Sequence, residues 1–241
     1  DIPDPFPLPD ATIRDLPPST HDPFHAGSAK PQFMGTSLRV EYGQGHTNAK
    51  NAMSRLRKPR CISFEEYLEL EHGGEIKHEF VAGYVYAMAG ASEAHNRIAL
   101  NIAFSFRAAA RGGPCGVFMA DMKVRVEDLD RCYYPDVSVV CDPADADPYV
   151  KRAPCIVVEV LSESTESTDR REKLSAYLSL PSLRYCLLVS ARTRQVEYYV
   201  RREDGEFAMA ELEDGERLEL QCNDYRAELD LPRVYEDVDM P

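Results

Sequence analysis

The sequence predicts a mixed α/β fold, a β-sheet with helices packed on its faces, and three observations carry that prediction. Short β-branched runs such as Val137-Ser138-Val139-Val140 and Ile156-Val157-Val158-Glu159-Val160 have the length and composition of strands. Two stretches, 92–110 and 169–180, have helical periodicity instead. Turn residues part the segments at short intervals, and no internal repeat is present.

The first element is a short helix. Ser63 reads as its N-cap, Glu65 and Glu66 complement its first turn, Tyr67, Leu68 and Leu70 give it an apolar side, and Gly73-Gly74 ends it. The segment 76–89 alternates around Gly83 as two strands joined by a tight turn. In 92–110, Ile98, Ile102 and Phe106 recur at four-residue spacing, and Gly112-Gly113-Pro114 stops the helix. Strands over 117–126 and 133–141 then form a hairpin around a polar loop at 128–131. A polar loop, 142–154, leads to a strand at 156–161. The second helix, 169–180, presents Leu174, Tyr177 and Leu178 on one face and ends at Pro181. A strand pair at 185–189 and 195–201 follows, with shorter strands near 207–212 and 218–220. This order suits a sheet covered by helices.

Composition limits the functional classes. The chain has 241 residues, enough for one domain with a core that needs no disulfide or metal staple. Its formal charge is −13, from 28 Lys+Arg against 41 Asp+Glu, which repels phosphate backbones unless basic residues gather locally. Eight of the 17 prolines lie in residues 1–33, so we read 1–60 as a proline-rich tail, flexible or in part an artefact of the start point, and 61–241 as the folded domain. The seven cysteines are odd in number and scattered without a CxxC pair, so they read as reduced, buried thiols. There is neither a secretory pattern at the start nor a run of 18 apolar residues, and we expect a soluble cytoplasmic protein with no membrane contact. The glycine pairs lack phosphate-loop spacing, so no nucleotide cofactor is expected.

The chemistry concentrates in carboxylates within apolar runs. Asp136 follows Pro135 and opens one β-branched run, and Glu159 lies inside another. An ionised carboxylate there is expensive to bury unless it is paired, hydrogen-bonded or bound to a cation, and a divalent metal held by both is one solution. The other is a turn-start Asp and an edge-strand Glu facing water. Lys173, in the helix after Glu159, can bring an ammonium to the same edge if the helix packs back on its strand, or stay solvated in a charge run. Lys123, on the strand before Asp136, is the rival lysine. Glu79 is a further metal-edge acid or an exposed strand residue, and His95 is a phosphate contact or a capping residue. His72, His78 and Cys61 lack a ligand pattern.

Residues from about 61 to 237 resemble the Uma-type "putative restriction endonuclease" family of the PD-(D/E)XK nuclease superfamily. The resemblance rests on His78-Glu79-Phe80-Val81-Ala82-Gly83-Tyr84-Val85, Ala87-Met88-Ala89-Gly90-Ala91-Ser92, His95, Tyr134-Pro135-Asp136-Val137-Ser138-Val139-Val140 and Val157-Val158-Glu159-Val160-Leu161-Ser162-Glu163-Ser164-Thr165. It continues through Asp169, Glu172-Lys173, Tyr177 and 185–189. The resemblance implies a restriction-endonuclease-like mixed sheet with an αβββαβ core. It also implies Mg²⁺, or Mn²⁺ as a substitute, held by Asp136, Glu159 and Glu79, with these three and Lys173 as the catalytic set. In the superfamily pattern a lysine stands two residues after the Glu; here that position is Leu161, and the family pattern moves the lysine role to Lys173. DNA is the implied substrate, with a homodimer to cut both strands, and Arg107, Arg111, Arg170, Arg171, Arg192 and Arg194 are candidates for a basic rim. The alternative is a catalytically weak or inactive nuclease-fold protein serving as a DNA- or protein-interaction module, a reading that Leu161 and the acidic charge favour.

Overall fold

The computed structural model describes residues 14–15, 61–162 and 166–240. In chain order the elements are β1 (Arg14–Asp15), α1 (Phe64–Gly73), β2 (His78–Val81), β3 (Tyr84–Ala87), α2 (Glu93–Ala109), β4 (Gly116–Met119) and β5 (Lys123–Val126). They continue as β6 (Arg131–Tyr133), β7 (Val137–Val140), β8 (Val150–Lys151), β9 (Pro154–Leu161), α3 (Glu166–Thr168), a π turn (Asp169–Lys173) and α4 (Leu174–Leu178). The last are β10 (Tyr185–Ser190), β11 (Val196–Arg201), β12 (Phe207–Glu211), β13 (Leu218–Cys222), β14 (Tyr225–Leu229) and α5 (Leu231–Val234). Apart from β1, the proline-rich segment 1–60 lies outside the described residues.

Local chemistry accounts for the expected elements. Ser63 and Glu66 form a reciprocal capping box at the start of α1, the Ser63 hydroxyl accepting from Glu66 N–H while the Glu66 carboxylate accepts from Ser63 N–H. The β2–β3 hairpin turns through Ala82 and Gly83, whose φ angles of 47° and 87° match the handedness of a tight hairpin. Gly83 is doubly constrained, because an added Cβ meets the Cys61 Cβ at 3.1 Å.

The central sheet runs β1-β12-β11-β10-β9-β7-β4 and is antiparallel except where β9 lies parallel to β10. That parallel pair needs a crossover, which the α3, π-turn and α4 run supplies. A second sheet runs β3-β2-β6-β5-β8, and β13 pairs with β14 alone. Read through α2, β4–β5, β6–β7, β9, α3–α4 and β10, the chain follows the expected αβββαβ order.

Strand alternation splits the core in two. Ile156, Val158 and Val160 of β9 join Ile98, Ile102 and Phe106 of α2 on one face, while Val157 and Leu161 join Leu174 and Tyr177 on the other. Glu159 has the parity of the second face. Leu161 is therefore core, packed where the superfamily pattern places a lysine.

The structure corrects three expectations. The strands read as 117–126 and 133–141 are each broken: Met119 pairs with Val137 and Val124 with Tyr133, so residues 120–123 oppose 134–136 and the hairpin forks into two sheets. Pro135, with no N–H for a ladder, lies at the fork. The 142–154 loop contains β8, which pairs parallel with β5. Four cysteines read as free thiols are joined, Cys115 to Cys141 and Cys155 to Cys222, leaving Cys61, Cys132 and Cys186 free. Sequence separations of 26 and 67 hid both bridges, whereas pairing of Gly116 with Val140 sets Cys115 opposite Cys141. Among the described residues no helix is long and apolar enough to cross a membrane.

The two sides of α2 give a stability test. Ile102 is fully buried and Phe104 is 73% exposed. Ile102→Ala is expected to cost about 2–5 kcal/mol in a denaturant titration and Phe104→Ala less than about 0.5 kcal/mol.

Candidate active site

Asp136, at the fork, is held from two sides. Its Oδ2 accepts from the Val160 N–H at 2.7 Å and lies 3.3 Å from His95 Nε2. Extending the β7–β9 register one step beyond the Val137–Val158 pair sets Asp136 opposite Glu159. His95 reaches Asp136 from the first turn of α2, where the Ser92 hydroxyl accepts from its N–H.

Glu159 is 3% exposed and faces α4, whose Tyr177 hydroxyl donates to Glu159 Oε1 at 2.7 Å. Lys173 Nζ stands 3.7 Å from the same oxygen, 2.6 Å from Glu79 Oε1 on β2 and 3.1 Å from Asp169 Oδ1. Three elements, β2, β9 and the π turn, thus bring three carboxylates to one ammonium. The π turn helps to align its contributors: eight residues of regular helix drift by about 80°, and the wider turn at Asp169–Lys173 keeps Asp169, Lys173 and Tyr177 all directed at the acids.

One ammonium does not neutralise this cluster. Burial raises the Glu159 pKa well above the ordinary value, as do the neighbouring Asp136, Asp169 and Glu79, although Lys173 opposes the shift. Glu79 is raised for the same leading reason, burial, despite its short contact with Lys173. For Lys173, burial disfavours the charged form, but the three carboxylates outweigh it and hold the ammonium protonated far above its usual range. His95 follows the same logic, its burial overcome by Asp136 so that its pKa is raised.

The structure therefore brings together the sequence candidates Asp136, Glu159, Glu79, Lys173 and His95. Lys123 is placed elsewhere, with Nζ 5.1 Å from the Tyr134 ring centroid. Arg170 is committed to Glu166 and Glu197, and Arg194 packs over Tyr235, whereas Arg107, Arg111, Arg171 and Arg192 are exposed. His78 Nδ1 pairs with Glu71, and His72 packs edge-on against Tyr149. Asp169 and Tyr177 were part of the family motifs, and Tyr177 of the apolar helix face, but sequence reasoning assigned neither a role in the site. Their signal was the spacing of 169, 173 and 177, one helix side bearing an acid, a base and a hydroxyl.

The donor chemistry fits a hard divalent cation, because every acceptor in the cluster is a carboxylate oxygen. Glu79 Oε1 and Asp169 Oδ1 are buried and make no hydrogen bond, their contact being the Lys173 ion pair. Among the described residues, no three His, Cys, Asp or Glu side chains already converge as a metal-binding group. Lys173 instead occupies the space between Glu79, Asp169 and Glu159.

A family model described as "Uma2: Putative restriction endonuclease" matches residues 64–231. "Uncharacterized protein slr1290" of Synechocystis sp. (strain ATCC 27184 / PCC 6803 / Kazusa) is 37% identical over 161 residues, covering 66% of this chain and 85% of the relative. "Uncharacterized protein sll1609" of the same organism is 28% identical over 165 residues, covering 67% and 93%. Among solved structures, the crystal structure of "a putative nuclease belonging to DUF820" from Anabaena variabilis ATCC 29413 aligns with a TM-score of 0.56 at 14% identity, covering 72% of this chain and 97% of that one. At that identity the likeness is one of fold.

The electrostatics have a measurable consequence. Glu159, Glu79 and His95 all hold their protons more tightly in the fold than their ordinary values of 4.5, 4.5 and 6.5. Their contribution is complete below those values and is lost as pH rises through the raised ones. The metal-free melting temperature is therefore expected to fall as pH rises above the ordinary carboxylate value of 4.5 and on past the ordinary histidine value of 6.5. Glu159→Gln keeps an acceptor for Tyr177 but cannot ionise, so it should flatten the slope and melt a few degrees higher at the alkaline end, on the scale of about 1 kcal/mol. Melting curves across pH in the presence of a chelator check both outcomes.

Proposed function

The chain belongs to the Uma2 "putative restriction endonuclease" family, and from that premise we propose that it is a divalent-metal-dependent endonuclease that hydrolyses DNA phosphodiester bonds. The observation that carries this reading is the meeting of Asp136, Glu159, Glu79 and Lys173 from four separate elements in one partly buried cluster. An excess of buried carboxylate is costly for a fold, and it has a use where a cation and a phosphate are to be handled together.

Asp136 and Glu159 would hold Mg²⁺, or Mn²⁺ as a substitute, with Glu79 assisting. When bound, such an ion polarises a phosphoryl oxygen and acidifies a coordinated water. The protein groups do the positioning. The Val160 N–H and His95 fix the Asp136 carboxylate, and Tyr177 fixes that of Glu159. Lys173 stays an ammonium at neutral pH, so its part is to align the attacking water and offset phosphate charge; proton abstraction does not fall to it. The exposed Arg107, Arg111, Arg171 and Arg192 are the candidates for phosphate contacts on an otherwise acidic chain. The reading includes a homodimer, since cutting both strands calls for two such sites.

A second reading, a nuclease-fold module that binds without cutting, draws on two observations. Lys173 is engaged with three acids, and no three-ligand group is gathered among the described residues. Supercoiled plasmid incubated with Mg²⁺ or Mn²⁺ separates the two. Wild type is expected to nick it, and Asp136→Ala, Glu159→Ala and Lys173→Ala each to lower the rate by about 100-fold or more. Equal traces of nicking in every sample would leave the binding module as the better reading.

A further inference from the structure

We propose that Tyr177 restricts Glu159 to one donor oxygen and thereby makes the site select a small octahedral cation over Ca²⁺. The inference rests on the metal-dependent reading above and adds to it the residue that sets which metal is taken.

Tyr177 is fully buried on α4, and its hydroxyl donates to Glu159 Oε1 at 2.7 Å. The Lys173 ammonium stands 3.7 Å from the same oxygen, so a phenol and a cation both engage Oε1. Among the described residues, Oε2 accepts no hydrogen bond. The tyrosine is itself held in place, because the Tyr133 ring packs nearly edge-on against it with centroids 5.6 Å apart. The Tyr133 hydroxyl turns away to Glu172 Oε1 at 3.2 Å, so only one of the two phenols addresses Glu159.

The consequence follows from coordination chemistry. Ca²⁺ takes six to eight oxygens in flexible geometry and commonly binds a carboxylate through both of them, whereas Mg²⁺ keeps a strict octahedron, retains several waters and needs only one oxygen from each carboxylate. A glutamate with Oε1 committed offers the second kind of donor. Removing the hydroxyl while keeping the ring takes away the hydrogen bond to Oε1, leaves only the longer Lys173 contact of 3.7 Å, and permits two-oxygen binding. Partners that orient a ligand in this way typically change metal affinity by about 10–100-fold when lost.

The test is the stabilisation of the protein by each ion, which needs no turnover. Melting temperatures are measured over titrations of Mg²⁺ and of Ca²⁺ for wild type, Tyr177→Phe and the control Tyr133→Phe, and the shifts are converted to apparent affinities. Calorimetric titration at low temperature gives the same comparison for a variant that melts early. The expected result is a preference for Mg²⁺ in wild type, a change of roughly 10-fold toward Ca²⁺ in Tyr177→Phe, and an unchanged ratio in Tyr133→Phe. A Tyr177→Phe ratio equal to wild type, in a protein that both ions stabilise, overturns this inference alone, as does an equal change in Tyr133→Phe, which would assign the effect to packing. A wild type that neither ion stabilises overturns it together with the metal reading.

Discussion

Lys173 and the three carboxylates around it are the constraint on which the rest of the site depends. Glu79, Glu159 and Asp169 come from β2, β9 and the π turn, and each approaches the same ammonium in a setting with little access to water. Taking ions out of water is expensive, and a pair recovers that cost only when its geometry is good and its remaining valences are met. Three acids against one base do not balance. The imbalance appears in the raised pKa values of Glu79 and Glu159, whose protons are held more tightly than in water.

The scaffold that allows this is a break in otherwise regular pairing. The hairpin made by 116–140 divides at Tyr134-Pro135-Asp136, one limb continuing with the central sheet and the other joining the sheet of β2, β3 and β8. Backbone at the fork has no ladder partner in register, and Asp136 meets part of the deficit by accepting from Val160. The same division brings β2, and with it Glu79, beside the β9 acid. Neither sheet by itself would hold both carboxylates.

Position in the sheet also accounts for the displaced lysine. Along β9, residues of one parity pack on α2 and those of the other on α4, so a lysine at 161 would lie among Leu174, Tyr177 and Val124. Leu161 adds to that core instead, and the positive charge enters from the facing helix. The exchange has a structural cost: the segment from Asp169 to Lys173 leaves regular α-geometry for a π turn, the kind of local departure that tends to gather at functional positions.

Much of this was legible in the chain. The cap at Ser63, the glycine turn at Gly83, the apolar spacing of α2 and the β-branched runs around Glu159 are local signals, read over a few residues because backbone propensity and periodicity act over that range. Asp136 and Glu159 stood out for the same reason, as charges inside apolar strands, and the family motifs drew Glu79 and Lys173 in with them. The fork, the β5–β8 pairing, both disulfides and the roles of Asp169 and Tyr177 were not legible, because each depends on partners 4 to 67 residues away whose proximity arises only on packing. The sequence by itself determined where most helices and strands lie and which carboxylates would be costly to bury. Tertiary structure alone decided how one ammonium meets three acids at once, since a contact among β2, β9 and a helix is set by how the sheets divide and how the helix packs, and no local pattern encodes that distance.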